Sequence, residues 1–290
     1  MSGNVVLSAA MEQNLLSLQS TQMNMNKTQN DLSTGFKVNS AIDNPSAYFA
    51  ATAERNRATD LSQLKNSMGE AVQTVTEAQN GITAITDVIN QMQSVVQSAG
   101  SATTAQRDSL MKEFNTLRTQ LNQSVQDANY QGTNLLQANT LTVVFNENGT
   151  STLSISGFSA AAGARSTFTS SATITGGLGI STAGGTGAFS WGGATFTQIL
   201  ATHSSQLANA LVTLRTQSQN LASNLSVVTI RQDYTSNTIN TLNGGADNLT
   251  LADPNEEGAN MLALQTRQQL GLVALQLSSQ AQQGVLRLFP

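Results

Sequence analysis

The sequence has 290 residues, of which 39% are hydrophobic and only 10% are charged, and its net charge is −4. A weakly acidic chain without any basic run argues against nucleic acid as a partner. Cysteine is absent and His203 is the only histidine, so with no catalytic or nucleotide-binding motif present we expect no enzyme activity, no cofactor and no metal site.

The N-terminus carries neither a membrane span nor the pattern of a cleaved secretory signal. No run approaches the roughly 20 apolar residues of a membrane helix, and the first basic residue is Lys27. A cleaved signal needs an early positive charge and an apolar core. We therefore expect no membrane insertion, and either a cytoplasmic protein or one that is exported without a cleaved signal.

The first half of the chain contains three stretches in which apolar residues recur in alternating steps of three and four. This 3.5-residue repeat is typical of helices that pack side by side. The first stretch comprises Met11, Leu15, Leu18, Gln22, Met25, Gln29 and Leu32. The second is the most regular, with Leu61, Leu64, Met68, Ala71, Val75, Ala78, Ile82, Ile85, Ile89, Met92, Val96 and Ala99. A shorter third helix is predicted over 110–128.

The middle of the chain differs in composition. Of 22 glycines, 11 lie between Gly149 and Gly193, where Arg165 is the only charged residue. Two β-rich runs, 141–145 and 150–155, flank Asn148-Gly149 and predict a β-hairpin. The apolar residues farther along predict a small β-rich region, with a disordered linker as the alternative. They are Phe158, Phe168, Ile174, Phe189, Trp191 and Phe196.

Two further helices are predicted after this middle region. One carries the repeat Leu207, Leu211, Leu214, Ser218, Leu221, Leu225, Val228, Gln232, Thr235, Ile239 and Leu242. His203 lies at its start, where we expect a surface or capping role, and Gly244-Gly245 is predicted to end it.

The last helix is predicted to begin after Asp253-Pro254, with Glu256 and Glu257 in its first turn. It is apolar on more than one face over 261–264 and 270–277, which predicts burial on several sides. A single chain offers little to cover those faces. We therefore expect the terminal helices to be poorly ordered in the free chain and to fold on association.

This order of elements predicts a mainly α fold. It is a long antiparallel coiled-coil helical hairpin with paired N- and C-terminal helices and a small β-rich inserted outer region. The repeats over 61–99 and 207–242 should pack against each other.

Three separated blocks carry a resemblance to a known family. Residues 32–45, Leu-Ser-Thr-Gly-Phe-Lys-Val-Asn-Ser-Ala-Ile-Asp-Asn-Pro, closely resemble a block of bacterial flagellins, particularly those of alphaproteobacteria. Residues 129–136, Asn-Tyr-Gln-Gly-Thr-Asn-Leu-Leu, and the Gln-rich stretch 265–289 are similar to two more. Lys37, Ile42 and Pro45 depart from the usual pattern. The resemblance covers about 1–140 and 200–290.

The resemblance implies a secreted, extracellular subunit of the bacterial flagellum. Such proteins pass unfolded through the flagellar type III export apparatus with a chaperone, polymerise with other flagellin subunits, and meet the filament cap and junction proteins. It also implies three regions. Residues 1–44 and 251–290 would form the inner domain lining the channel, 45–140 and 199–250 the helical rod, and 141–198 a variable outward-facing region.

The resemblance assigns roles to apolar side chains. Rod packing would fall to Leu61, Leu64, Met68, Val75, Ile82, Ile85, Ile89, Leu211, Leu214, Leu221, Leu225 and Val228. Assembly of the inner tube would fall to Leu15, Leu18, Leu270, Val273 and Leu277. Residues 89–95 match a charged receptor-binding segment of well-studied flagellins but carry no charge, which implies weak or no recognition by the innate flagellin receptor.

Two other functions stay open at this point. The nearer one is another flagellar axial protein, such as the hook–filament junction protein, which has similar terminal helices. The more distant one is a signalling protein built on a helical hairpin like that of a chemoreceptor. That class needs membrane anchors, which this sequence lacks.

Overall fold

The computed structural model describes residues 9–163, 177–183, 191–193 and 195–288. The described residues form five helices and two strands, α1 (Ala9–Thr34), α2 (Pro45–Ser101), α3 (Thr104–Asp127), β1 (Thr140–Val144), β2 (Thr152–Ser156), α4 (Phe196–Thr250) and α5 (Pro254–Leu288). The chain divides into two compact units. One, the terminal unit, holds the residues up to Ala58 and those from Asn240 onward, and the other, the central unit, is Thr59–Ile239.

The core of the central unit is built from the predicted repeats of α2 and α4. Every α2 position of the repeat is buried except Leu64, which is half-buried. On α4, Leu207, Leu214, Leu221 and Val228 belong to the same hydrophobic cluster as the α2 residues. A mainly α fold with packed long helices and a small β region is therefore confirmed.

Close approaches show that α2 and α4 run antiparallel in the central unit. A Cβ atom built on Gly69 would lie 3.6 Å from the Gln232 Nε2 atom, whereas one on Gly100 would lie 3.5 Å from Leu200. The early part of α2 thus lies beside the late part of α4. Helix α3 completes the core with the buried side chains of Phe114, Leu121 and Val125.

The predicted hairpin is present in the central unit. Strands β1 and β2 pair antiparallel, with Thr140 opposite Ser156 and Val144 opposite Thr152. The turn includes Gly149 at φ +66°, a left-handed conformation that glycine adopts without steric cost. The Gly149 N–H donates to the Asn146 carbonyl over 3.1 Å.

Polar side chains of α3 hold the segment that follows the hairpin. Asn115 donates to the Ala183 carbonyl over 2.6 Å, and Asn122 accepts the Ala162 N–H over 2.9 Å. Arg118 donates to the carbonyls of Ile180 and Gly163. These three side chains are spaced i, i+3 and i+7, so they share one face of the helix.

Three of the six apolar residues predicted to form the core of the middle region lie in the described part of the chain. Trp191 and Phe196 are buried and Phe158 is half-buried against the core. The remaining three, Phe168, Ile174 and Phe189, lie outside the described residues.

The terminal unit pairs α1 with α5 in antiparallel fashion. Gln268 Nε2 donates to Gln22 Oε1 over 2.8 Å, and a Cβ on Gly271 would lie 2.7 Å from Leu18. The buried α1 positions differ from the predicted repeat, because Thr21 and Thr28 are buried where Gln22 and Gln29 were expected.

The prediction that Gly244-Gly245 ends a helix was wrong, because α4 continues to Thr250. A Cβ built on Gly245 would lie 2.6 Å from the Glu54 Oε2 atom of α2. Glycine at this position therefore leaves room for the Glu54 carboxylate and does not terminate the helix.

The surface or capping role expected for His203 was also wrong. Its side chain is fully buried, with ring centroids 4.9 Å from Phe114 and 6.0 Å from Trp191. The sequence around His203 does not show these two aromatic contacts. Because Phe114 and Trp191 pack against the imidazole, it is part of the core although it lies near the start of a helix.

Candidate functional site

The described part of the chain holds no group of three His, Asp or Glu side chains that could bind a metal ion. Within the same residues, no helix combines the length and apolarity needed to cross a bilayer. The features that stand out are exposed apolar surfaces on the helices.

The predicted inner-tube residues lie mostly on exposed faces of α1 and α5. Leu270, Val273 and Leu277 are 64%, 55% and 66% exposed, and no described side chain of α5 is buried. Leu15 is exposed, whereas Leu18 is half-buried against Gly271. Exposed apolar side chains that are neighbours on a helix mark an interaction surface.

The predicted rod-packing residues are brought together inside the central unit of a single chain. All of them are buried except Leu64, Leu211 and Leu225, which are half-buried against the same core. Their contacts therefore fix the shape of one copy and leave other side chains free to meet neighbours.

A further apolar surface on α4 was missed by the sequence analysis. Val227, Ile230 and Tyr234 are spaced by three and four residues, and Ile230 and Tyr234 are more than 60% exposed. The spacing of these three residues is visible in the sequence, but they alternate with residues of the buried repeat that contains Val228. The sequence analysis assigned the apolar residues of this region to that repeat alone. It gives the central unit an apolar stripe of its own.

Residues 32–45 form the connection between α1 and α2 and are fixed to the end of α4. Phe36 pairs with Leu251, and the Lys37 N–H donates to the Thr250 carbonyl over 2.8 Å. Arg55 on α2 reaches the same place, with its guanidinium 3.2 Å from Asp247. The chain thus joins its two ends within the terminal unit.

Asp43 organises the turn within this connection. Its Oδ2 atom accepts the backbone N–H groups of Asn39 and Ser40 over 3.0 and 2.9 Å. The backbone hydrogen bond from Ser40 is the largest cause that lowers the pKa of this carboxyl. The carboxylate is therefore a structural acceptor within its own loop.

The segment 89–95 exposes only uncharged polar groups. Ile89, Met92 and Val95 are buried in the core of the central unit, whereas Asn90 and Gln91 are exposed. Any partner that reads this face meets amide and hydroxyl groups.

Comparison with known proteins indicates one family along nearly the whole chain. Residues 6–140 match the family described as the bacterial flagellin N-terminal helical region. Flagellin FljO and flagellin FljM of Caulobacter vibrioides are each 29% identical over 279 residues, which covers 95% of this chain and 94% of each relative. A flagellin of Brucella melitensis biotype 1 is 27% identical and covers 95% of both chains. These matches support a structural subunit of the bacterial flagellar filament, and the chain is similar to bacterial flagellins along nearly its whole length.

Proposed function

We propose that this flagellin builds its filament by covering, with neighbouring copies, the apolar side chains that α1 and α5 leave exposed. The observation that carries the proposal is the exposure of Leu270, Val273 and Leu277 on a helix with no buried described side chain. Burial of apolar surface is the main favourable term in association. Leu15 and Leu18 supply the facing surface on α1, so that these five residues form the wall of the inner tube.

We also propose the domain organisation that the resemblance to flagellins implies. Residues 1–44 and 251–290 line the channel, residues 45–140 and 199–250 form the rod, and residues 141–198 face outward. Met68, Ile85, Ile89, Leu214 and Leu221 are all buried in one hydrophobic cluster, which supports a rod that is rigid within each copy.

We further propose that the role of the protein is structural and not enzymatic, and that it acts outside the cell. The subunit is exported by the flagellar type III apparatus with a chaperone and added beneath the filament cap, above the junction proteins. A polymer of many copies is favoured over the hook–filament junction because the relatives that align along 95% of the chain are flagellins.

We propose weak or no recognition by the innate flagellin receptor. The exposed side chains of residues 89–95 carry no charge, so they offer no ion pair to a receptor that reads charged residues at this place.

The assembly proposal is tested by Val273→Asp. An unpaired carboxylate buried between subunits costs several kcal/mol, so we expect a helical, soluble monomer that forms no filaments when a precipitant is added. The matched control is Val273→Leu, which keeps the site apolar and should polymerise like the unchanged chain. Electron microscopy and sedimentation report the outcome. Normal filaments from Val273→Asp would show that Val273 is outside the subunit contacts.

A further inference from the structure

The sequence contains three Asn-Gly pairs, and they lie in different backbone conformations. Asn80-Gly81 lies inside α2 and Asn243-Gly244 inside α4, whereas Asn148-Gly149 lies in the turn between β1 and β2. The asparagine of each pair is exposed to solvent. Access to water is therefore similar at the three pairs, and the conformation of the backbone is what distinguishes them.

An asparagine that precedes a glycine can react with its own backbone. The amide nitrogen of the glycine loses its proton and bonds to the side-chain carbonyl carbon, Cγ, of the asparagine. The C–N bond of the side-chain amide breaks, and ammonia leaves with the proton that the backbone nitrogen lost. Water then adds to one of the two carbonyls of the resulting five-membered imide and opens the ring, which leaves aspartate or isoaspartate. Glycine favours the first step because it has no Cβ to hinder its nitrogen.

The turn at Asn148 gives this reaction the freedom that it needs. A Cβ atom built on Gly149 would meet no other atom within 4 Å, so the space beside its nitrogen is open. The Gly149 N–H donates to the Asn146 carbonyl over 3.1 Å, a single hydrogen bond at the end of an exposed hairpin. Local opening of an exposed turn costs far less free energy than global unfolding. The nitrogen is thus released often enough to meet the Asn148 side chain.

The two helical pairs lack this freedom. In an α-helix each backbone N–H donates to the carbonyl four residues before it, so the glycine nitrogen is held away from the preceding side chain. Gly81 is also closely packed, since a Cβ built on it would lie 2.7 Å from Ala128 and Leu136. A Cβ on Gly244 would meet nothing within 4 Å. The pair Asn243-Gly244 is therefore as uncrowded as the turn and differs from it mainly in backbone conformation.

We propose that Asn148 is a site of spontaneous deamidation, at which the folded protein forms aspartate and isoaspartate while Asn80 and Asn243 are preserved. Both products add a negative charge to an exposed turn, in a chain whose net charge is −4. Isoaspartate also lengthens the main chain, which then runs through Cβ and Cγ of this residue. The hydrogen bond from Gly149 to Asn146 does not keep its geometry in that product, so the hairpin turn acquires a second chemical form with time.

The test is peptide mapping by mass spectrometry of the purified full-length protein, after incubation under mildly alkaline conditions in which it stays folded. Each converted site gains the mass difference between a hydroxyl and an amino group, and an isoaspartyl methyltransferase labels the isoaspartate product. We expect Asn148 to convert at least about tenfold faster than Asn80 and Asn243. In concentrated urea, where no pair is held by a helix or a turn, the three rates should become similar.

Three outcomes contradict the inference. If Asn148 converts no faster than Asn243 in the folded protein, the turn does not promote the reaction. If Asn148 is faster by the same factor in urea, the neighbouring sequence selects it and the fold does not. The matched variant is Asn148→Gln, whose longer side chain closes a six-membered imide far more slowly, so the peptide that carries this residue should lose the mass change. Persistence of the mass change in Asn148→Gln would overturn the assignment to Asn148.

Discussion

Acidification should destabilise the central unit through its one histidine. His203 is fully buried beside Phe114 and Trp191. Burial lowers the pKa of its imidazole to about 4, and a hydrogen bond with the Gln206 side chain opposes the shift only in part. No charged group contributes to this shift, so the lowered pKa results from burial of the imidazole among aromatic side chains.

The sign follows from the comparison of the folded and unfolded states. The unfolded chain binds a proton at His203 near its ordinary pKa of 6.5, whereas the folded chain binds it only near 4. As the pH falls through this window, protons accumulate on the unfolded state and the free energy of unfolding decreases. At about 1.4 kcal/mol per pKa unit the loss is about 2 kcal/mol by pH 5 and roughly 3 kcal/mol below pH 4.

The protein carries its own reporter for this measurement. Trp191 is the only tryptophan and contacts the histidine, so its fluorescence follows unfolding of the central unit in urea at pH 7 and pH 5. The control is His203→Phe, which keeps an aromatic ring but cannot be protonated. Carboxylates affect both proteins alike, so the difference between their pH dependences isolates His203. Equal losses of stability in the two proteins would refute the reasoning.

Three further outcomes are expected. Gly81→Ala should lower the free energy of unfolding, measured in urea, by about 1–2 kcal/mol, because its Cβ would lie 2.7 Å from both Ala128 and Leu136. The control Gly69→Ala places its Cβ at an ordinary contact distance of 3.6 Å. In the same measurement it should be neutral or stabilising. Amides of α1 and α5 should exchange hydrogen much faster than those of α2 in dilute monomer and become protected in filaments, and equal protection in the monomer would contradict folding on association. A reporter assay for the innate flagellin receptor should give a weak response, and a full response at ordinary doses would contradict the interpretation of residues 89–95.

The central unit was largely predictable because its core follows one rule. Apolar residues at a 3.5-residue spacing on α2 and α4 can be buried together only if the two helices pack along their length. The hairpin was predictable for a similar reason, since Asn148-Gly149 between two β-rich runs permits the left-handed turn that is observed.

The remaining features depend on residues that are far apart in the sequence. Thr21, Thr28 and Asp31 face α5 although their polarity is that of surface residues. Asp31 shares a groove with Glu257 and Arg267 of α5 only because the two ends of the chain pack together. No local pattern encodes such a meeting, and the same holds for the aromatic surroundings of His203.

Buried and exposed apolar residues are distributed differently in the two units, which separates the residues that stabilise one copy from those available for contacts between copies. In the central unit the apolar repeats of α2 and α4 satisfy each other within one chain, so substitutions at Met68 or Leu214 should first lower the stability of the free protein. In α5 no described side chain is buried, so substitutions at Leu270 or Val273 have little packing to disrupt before assembly. The stability of the free monomer and the assembly proposed for it therefore depend on different residues, because the exposed apolar side chains of α5 can be buried only by neighbouring copies.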